Sequence, residues 1–321
     1  MKKFSARPRE KAAAEENSFL QDVLTGLSSR PKWMAAKHFY DAEGSKLFER
    51  IMQLPEYYPT RSEMQTLREN AGAIASLVPE GAALVEFGSG SNAKIRLLLE
   101  AAPQIAAYVP VDISAEYLEE QAQELRRDFP KLKIFPVAAD FTKRFDLPAK
   151  VRAMPRVGFF PGSTIGNFEP LAAVSFLRNA ARILGENASL VIGVDLVKDE
   201  KILHAAYNDA EGVTAAFNLN LLARINREMD ADFDLASFEH RAFFNTKRER
   251  IEMHLVSRKS QTVTVGGEPF EFEPGETIHT ENSYKYTRDG FKNLARQAGW
   301  IEHALWTDSA GNFSVRALKI R

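Results

Sequence analysis

The sequence predicts an α/β fold: a mostly parallel sheet closed by an antiparallel C-terminal strand, together with a second, α+β part of the chain. Three observations predict it. Short apolar runs alternate with amphipathic stretches of helical length between Ala83 and Val194. The alternation lapses after Asp195 and resumes after Tyr286. The last two apolar runs are joined only through Ala310-Gly311-Asn312, whereas a parallel crossover needs about a dozen residues or more.

Residues 1–10 read as disordered. Helical spacing of apolar residues runs from Ala12 to Leu27 and from Lys37 to Met52. Pro55-Glu56-Tyr57-Tyr58-Pro59 reads as a stiff loop, because prolines bracket the two tyrosines. A helix is expected from Thr60 to about Leu77, with Glu63 completing a capping box. Strands are expected at Ala83–Phe87, Ala107–Val111, Ile134–Ala138, Val157–Phe160 and Ser189–Val194. Helices are expected between them, at Asn92–Ala101, Ala115–Asp128 and Leu171–Leu184. Strands alternating with helices of this length imply right-handed βαβ units. Residues 199–229 read as helical, and Arg241 to Phe272 as strands with a Gly266-Gly267 hairpin. A helix from Gly290 to Ala298, stopped by Gly299, precedes closing strands at Trp300–Thr307 and Phe313–Ile320. The expected domains are therefore 60–196 with 286–321, and 10–59 with 197–285.

Composition narrows the function. The chain has 321 residues, is 45% hydrophobic and carries a net charge of −1. A nucleic-acid surface needs a basic excess, so a small molecule is the simpler partner. There is no cysteine, which excludes disulfides, thiolate nucleophiles and CxxC metal sites. No apolar run approaches the roughly 20 residues of a membrane span. A cytoplasmic monomer without nucleic-acid or membrane partners is expected. The six histidines show no paired metal-ligand spacing, so no metal is implied.

Val85-Glu86-Phe87-Gly88-Ser89-Gly90-Ser91 follows a buried strand and opens a helix. Glycines there let the backbone turn sharply against a ligand. Asp112 closes the next strand, where a carboxylate can accept ribose hydroxyls. Asp140-Phe141 follow the third, where an acid and an aromatic can meet an adenine. Ligands of open α/β sheets bind at these strand ends. Gly88, Gly90 and Ala93 also fit a dinucleotide fingerprint, which leaves a nicotinamide-dependent oxidoreductase open. Two features favour S-adenosylmethionine and a Rossmann-like class I methyltransferase sheet. Glu86 beside the first glycine suits a sulfonium better than a pyrophosphate, and the terminal antiparallel pair is typical of that class. Lys94 would then lie near the cofactor carboxylate. After the fourth strand, Phe160-Pro161-Gly162-Ser163-Thr164-Ile165-Gly166-Asn167-Phe168 occupies the position of a methyl acceptor, where backbone and amide groups can hold a small zwitterion.

The chain resembles the histidine-specific methyltransferases of ergothioneine biosynthesis, which make the trimethylated betaine hercynine. The resemblance covers nearly all of it after the first dozen residues. It is carried by Phe39-Tyr40-Asp41, Gly44-Ser45, Leu54 through Arg61, Glu86 through Gly90, Gly162 through Asn167, Asp195 through Asp199, Tyr207-Asn208-Asp209, Gly212 through Asn218, and Glu252-Met253. The resemblance implies the following roles. Asn167 and Tyr207 would grip the substrate carboxylate. Gly162 and Thr164 would orient the amine, with Tyr40 nearby. Tyr57, Glu281 and Ser283 would meet the imidazole, and Met253 and Phe48 would line the pocket. The reaction is an in-line displacement in which positioning dominates. Proton loss is expected through Tyr40, Thr164 and water, because no His, Lys or Cys is placed as a dedicated base. A same-family enzyme acting on another amino acid remains a second reading.

Overall fold

A computed structural model of the chain describes residues 8–90 and 92–320, with side chains from Ser18 onward. Ser91 and residues 1–7, part of the expected disordered start, lie outside the described residues. The chain divides into two compact units, 58–198 with 283–320 and 8–57 with 199–282. No helix among the described residues is long and apolar enough to cross a membrane.

The first unit is built on one sheet. In chain order its strands are β1 (Ala83–Phe87), β2 (Ala107–Asp112), β3 (Lys133–Ile134), β4 (Val137–Ala138), β5 (Arg156–Phe160), β6 (Ser189–Asp195), β7 (Trp300–Thr307) and β8 (Phe313–Ile320). Their spatial order is β7-β8-β6-β5-β1-β2-β3, with β4 also pairing with β2. The pairings among β1 to β6 are parallel, and β8 runs antiparallel to both β6 and β7. This is the mostly parallel sheet with an antiparallel C-terminal pair that the sequence predicts. Period-two alternation fills both faces. Val85 and Phe87 of β1 join one core cluster with Leu177 and Phe291, while Leu84 joins another with Leu67, Leu98 and Leu125. Helices at Pro170–Leu184 and Arg288–Gln297 supply the first cluster. Those at Tyr58–Glu69, Ala93–Ala101 and Ala115–Asp128 supply the second. Trp300 is fully buried, its indole donating to Leu177 O at 2.9 Å.

The structure corrects several expectations. The strand expected at Ile134–Ala138 is split into β3 and β4, because Pro136 has no N–H to give a ladder. The stiff loop ends early: Tyr58 and Pro59 begin the helix Tyr58–Glu69, since proline is tolerated in a first turn. That helix stops at Glu69, and a short helix, Ala71–Ala75, follows. Glu63 therefore lies inside the helix and is no capping-box residue. The span from Lys37 becomes a 3-10 turn, Ala36–Phe39, and a helix, Ala42–Ile51. The first helix starts at Pro8, so residues 8–10 are helical.

The second unit carries a sheet ordered Lys32–Trp33, Thr277–Tyr284, Arg250–Ser257 and Phe238–Asn245, and a separate hairpin of Gln261–Val265 and Glu268–Phe272. Gly266 and Gly267 turn that hairpin with φ of 57° and 86°, the positive pair a two-residue turn needs. The expected helical stretch 199–229 is two helices, Glu200–Tyr207 and Val213–Met229. Asp209, three residues before the N-cap Gly212, bonds the first-turn amides of the second, accepting from Val213 N at 2.7 Å and Thr214 N at 2.8 Å. Asp41 starts Ala42–Ile51 by accepting from Gly44 N at 2.7 Å. A Cβ at Gly44 would sit 1.8 Å from Phe39 O, so glycine is what lets Phe39-Tyr40 pass this close.

Burial would raise Asp209, but hydrogen bonds from Thr214 and Val213 outweigh it and hold its carboxyl below the usual range. A lowered carboxyl stabilises the fold above its unfolded pKa of about 4, and the contribution is lost as pH falls through the folded value. Asp209→Ala is expected to cost about 1–2 kcal/mol at pH 7. Its melting-temperature gap from the parent should close on acidification below about pH 4; a constant gap across that range would refute the cap.

Candidate active site

The C-terminal ends of β1, β2 and β4 bring three acids to one sheet edge. Gly88 turns there with φ 73°, and its amide and that of Ser89 donate to Val111 O at 2.9 and 3.1 Å. A Cβ on Gly88 would come 3.2 Å from Phe141 Cε1, while one on Gly90 would meet open space. Phe141 is fixed edge-on by Phe160 and Phe176, at 5.7 and 5.8 Å between ring centres. Asp112 Oδ1 accepts from Ser114 N at 3.1 Å, and burial raises its carboxyl above the usual range. Asp140 accepts from Thr142 N at 3.0 Å, with Lys143 at 3.5 Å.

Glu86 is 2% exposed and hydrogen-bonded by Tyr108. Burial pushes its carboxyl up to about 7, against the Tyr108 hydrogen bond and the charge of Lys94. A cation beside a carboxyl raised in this way would favour its charged form. With the open face at Gly90, the aromatic over Gly88 and the acids of Asp112 and Asp140, the donor set fits a sulfonium nucleoside.

Lys94 is not solvated. Its ammonium pairs at 2.6 Å with Glu63, whose side chain is 1% exposed. Both oxygens of Glu63 also accept from Gly162 N at 2.9 Å. A Cβ at Gly193 of β6 would fall 2.0 Å from Glu63 Oε1, so that glycine makes the notch the carboxylate fills. Glu63 thus joins the lysine after Gly90 to the loop after β5. Sequence reasoning missed this joint, since nothing in helical spacing announces a buried charge.

The loop after β5 is held from several sides. Gly162 has φ 80°, and Ser163, although not glycine, has φ 54°. Ser163 Oγ accepts from Asp195 N at 2.8 Å. Thr164 Oγ1 donates to Pro161 O at 3.1 Å. Gly166 abuts the backbone of Tyr284, 2.8 Å from where its Cβ would be, and Tyr284 donates to Glu169 at 2.6 Å. Asn167 ends the 3-10 turn Thr164–Asn167. Behind the loop, Asp195 is 1% exposed and bound by Lys198, by Lys285 at 2.8 Å and by Tyr58 OH at 2.7 Å. Burial alone would raise Asp195, but the two ammoniums outweigh it and hold it below the ordinary carboxylate range. Burial pushes Lys198 down to about 8 despite Asp195. Ser283 is buried and accepts from Lys285 Nζ at 2.8 Å.

In the other unit, four of the expected residues share an aromatic wall. Tyr40 lies edge-on to Phe48 at 5.6 Å, Phe48 edge-on to Tyr57 at 6.3 Å, and Tyr57 edge-on to Tyr207 at 6.5 Å. Phe217, given no role from sequence, completes it at 5.9 Å from both Tyr40 and Phe48. Met253 is buried, and its carbonyl accepts from Thr280 at 3.1 Å. Glu281 is half-buried on the strand Thr277–Tyr284.

Glu252, His254 and His279 bring potential metal-ligand atoms within 4.8 Å of one another, a proximity that linear spacing did not reveal. The two imidazoles stack at 4.6 Å and 12°, so their in-plane lone pairs run side by side instead of converging. Arg250 already holds Glu252 at 2.7 Å. Burial lowers both histidines, His254 to about 4.

Sheet order, the antiparallel closing pair and acids at successive strand ends define a class I methyltransferase. The chain belongs to the histidine-specific, S-adenosylmethionine-dependent methyltransferase family, which it matches over residues 19–320. This sets aside the dinucleotide reading. It is 42% identical over 305 residues to a histidine N-alpha-methyltransferase of Mycolicibacterium smegmatis, covering 92% of each chain. It is 40% identical over 301 residues to the Mycobacterium tuberculosis protein of the same description, again covering 92% of each. A Neurospora crassa ergothioneine biosynthesis protein 1 is 29% identical over 297 residues, covering 86% of this chain and 32% of that one.

A buried acid with a raised pKa favours the fold below its unfolded pKa and loses that contribution as pH rises through the folded value. The ligand-free protein should therefore lose stability as pH climbs through about 7, and Glu86→Gln should remove that loss. Cofactor binding near pH 7 should release up to about half a proton, because a cation beside Glu86 draws its pKa down. Calorimetry in buffers of different ionisation enthalpy measures the release. An undiminished release in Glu86→Gln would refute the assignment.

Proposed function

We propose that the protein transfers three methyl groups in succession from S-adenosylmethionine to the α-amino nitrogen of L-histidine. The product would be hercynine, and the reaction the first step of ergothioneine biosynthesis. The observation that carries the reading is the polarity of the loop after β5. The Gly162 N–H is committed to Glu63 and the Thr164 O–H to Pro161 O. What these residues can offer is a carbonyl and a hydroxyl oxygen, both acceptors, as an amine that must keep its lone pair outward requires. The names of the mycobacterial relatives support the Nα position.

Glu86, Gly88, Gly90, Lys94, Asp112, Asp140 and Phe141 would hold the cofactor, which supplies an electrophilic methyl carried on sulfur. The chain's part is positioning. Asn167 and Tyr207 would take the substrate carboxylate, and Gly162 and Thr164 the amine. The α-ammonium must shed a proton before each transfer; that proton would leave to solvent through water, while the lone pairs of Thr164 Oγ1 and Tyr40 would accept hydrogen bonds from the amine and hold it in place. Faces of Tyr40, Phe48 and Tyr57 suit a methylated ammonium, which is attracted to aromatic rings without needing an N–H donor. Tyr57, Met253, Glu281 and Ser283 would take the ring. The reaction would take place in the cytoplasm.

Incubation with S-adenosylmethionine and the common amino acids, read by mass spectrometry, should add one, two and then three methyl groups to histidine alone. Methylation of another amino acid in its place would overturn the reading. Glu281→Ala should lower kcat/KM for histidine by roughly 10- to 100-fold and narrow its preference over tryptophan, because the carboxylate that accepts the ring N–H is gone. A histidine-to-tryptophan ratio equal to the parent's would remove Glu281 from the site.

A further inference from the structure

We propose that Glu63 is a positioning residue for methyl transfer: through one peptide plane its carboxylate sets the polarity of the acceptor loop, and through Lys94 it ties that loop to the cofactor edge. The inference rests on the reading that Gly162 and Thr164 orient the amine and that Lys94 lies near the cofactor carboxylate.

Every residue in this chain of contacts belongs to the sheet unit. Glu63 projects from the helix Tyr58–Glu69, its side chain 1% exposed, into the notch that Gly193 leaves on β6. Both its oxygens accept from Gly162 N at 2.9 Å. The peptide bond between Pro161 and Gly162 is trans, so its N–H and C=O point in opposite directions. Drawing the N–H into Glu63 therefore turns Pro161 O the other way. Pro161 O accepts the Thr164 hydroxyl proton at 3.1 Å. With that proton engaged, what Thr164 Oγ1 offers elsewhere is lone pairs, which suit an amine donating its N–H groups. This plane needs a holder, because Gly162 sits at φ 80° and glycine tolerates either sign. A flipped plane would take the acceptor from the Thr164 hydroxyl and present an N–H in its place. Glu63 thus governs Thr164 without touching it.

The contact with Lys94 explains why the holder is an acid. The oxygen of a neutral amide could accept from Gly162 N, but only a carboxylate also balances an ammonium. Lys94 Nζ lies 2.6 Å from Glu63, with 13% of its side chain exposed. It also lies 3.5 Å from where a Cβ on Gly162 would be, against the loop itself. An ammonium carries three N–H donors, so one lysine can serve Glu63 and the cofactor carboxylate together. The two acids then share one positive charge. Glu63 holds the loop in place and, by the same contact, weakens the grip of Lys94 on the cofactor.

The test is Glu63→Gln, which fills the same notch without the charge. A carboxamide has one oxygen for two donors. The ammonium, the stronger donor, takes it, and the side-chain NH2 is turned against the Gly162 N–H. The kcat for histidine should fall by roughly 10- to 100-fold, with a smaller change in KM, because the approach of the amine is misaligned. Affinity for S-adenosylhomocysteine, titrated without histidine, should match the parent's or exceed it by up to roughly fivefold, because Lys94 is released from its competitor. A residue that merely held the fold would weaken cofactor binding and turnover together when replaced. A kcat equal to the parent's, or an S-adenosylhomocysteine affinity that falls in step with kcat, would overturn the proposal. Should Glu63→Gln fail to fold, Glu63→Asp, which keeps the charge but draws it back by one methylene, carries the test. A lowered kcat with the parent's S-adenosylhomocysteine affinity supports the proposal; an unchanged kcat or a parallel fall overturns it. A parent protein that leaves histidine unmethylated would defeat the proposed function itself. A parent that methylates histidine beside a Glu63→Gln variant of equal kcat defeats only this inference.

Discussion

The buried carboxylate of Asp195 is the constraint on which the end of β6 and the loop after β5 depend. An ionised acid at the tip of β6, out of water, is tolerable only if its charge and lone pairs are met. Three side chains meet them, two of them from segments distant in sequence. Tyr58 comes from the start of a helix, Lys198 from just beyond β6, and Lys285 from the chain that re-enters the sheet unit. The backbone of Asp195 adds Ser163 from the loop after β5. Removing Tyr58, Lys198 or Lys285 would leave the charge short of a partner, and removing Ser163 would take the acceptor from the Asp195 amide, so the four are fixed together. The family motifs around Asp195, Tyr58 and Gly162 are, physically, one network.

The cofactor edge uses buried acids in two opposite ways. Glu63 is fully compensated: a lysine pairs with it, a backbone amide bonds both oxygens, and a glycine on β6 makes room for it. It behaves as a structural joint. Glu86, at the end of β1, is held by a phenol and has no ammonium in direct contact among the described residues. Its raised pKa records that shortfall. One acid is finished by the fold, while the other, on the proposed function, would be met by the cationic cofactor. Lys94 serves the first acid directly and the second only at a distance, which couples the two.

Much of the sheet was legible because its signals are local. The closing strands Trp300–Thr307 and Phe313–Ile320 are bounded by Gly299 and the Gly311 turn, and their limits match the sequence reading. Parallel strands buried on both faces announced themselves as short apolar runs. The errors fell where one residue overrules its neighbours: Pro136 divides a strand, and Pro59 enters a helix instead of ending one. In the site, Gly88, Asp112 and Asp140 could be read because each follows a strand. Tyr40, Phe48, Tyr57 and Tyr207 could be named only through resemblance, since no spacing shows that four aromatics will share a wall. Glu63 and Lys285 were opaque for another reason. A charged residue in a helix or after a strand reads as solvated, and only the folded chain shows that it is buried and whom it holds.

Ser163 holds a left-handed backbone that glycine would adopt more easily. Glycine there would relax the turn but would lose the oxygen that receives the Asp195 amide. The strain is thus accepted for the sake of one hydroxyl, and it is borne while the chain folds, before any ligand arrives. On the proposed function, an amino acid reaching this loop would meet a surface already set and would spend little of its binding energy in shaping the protein.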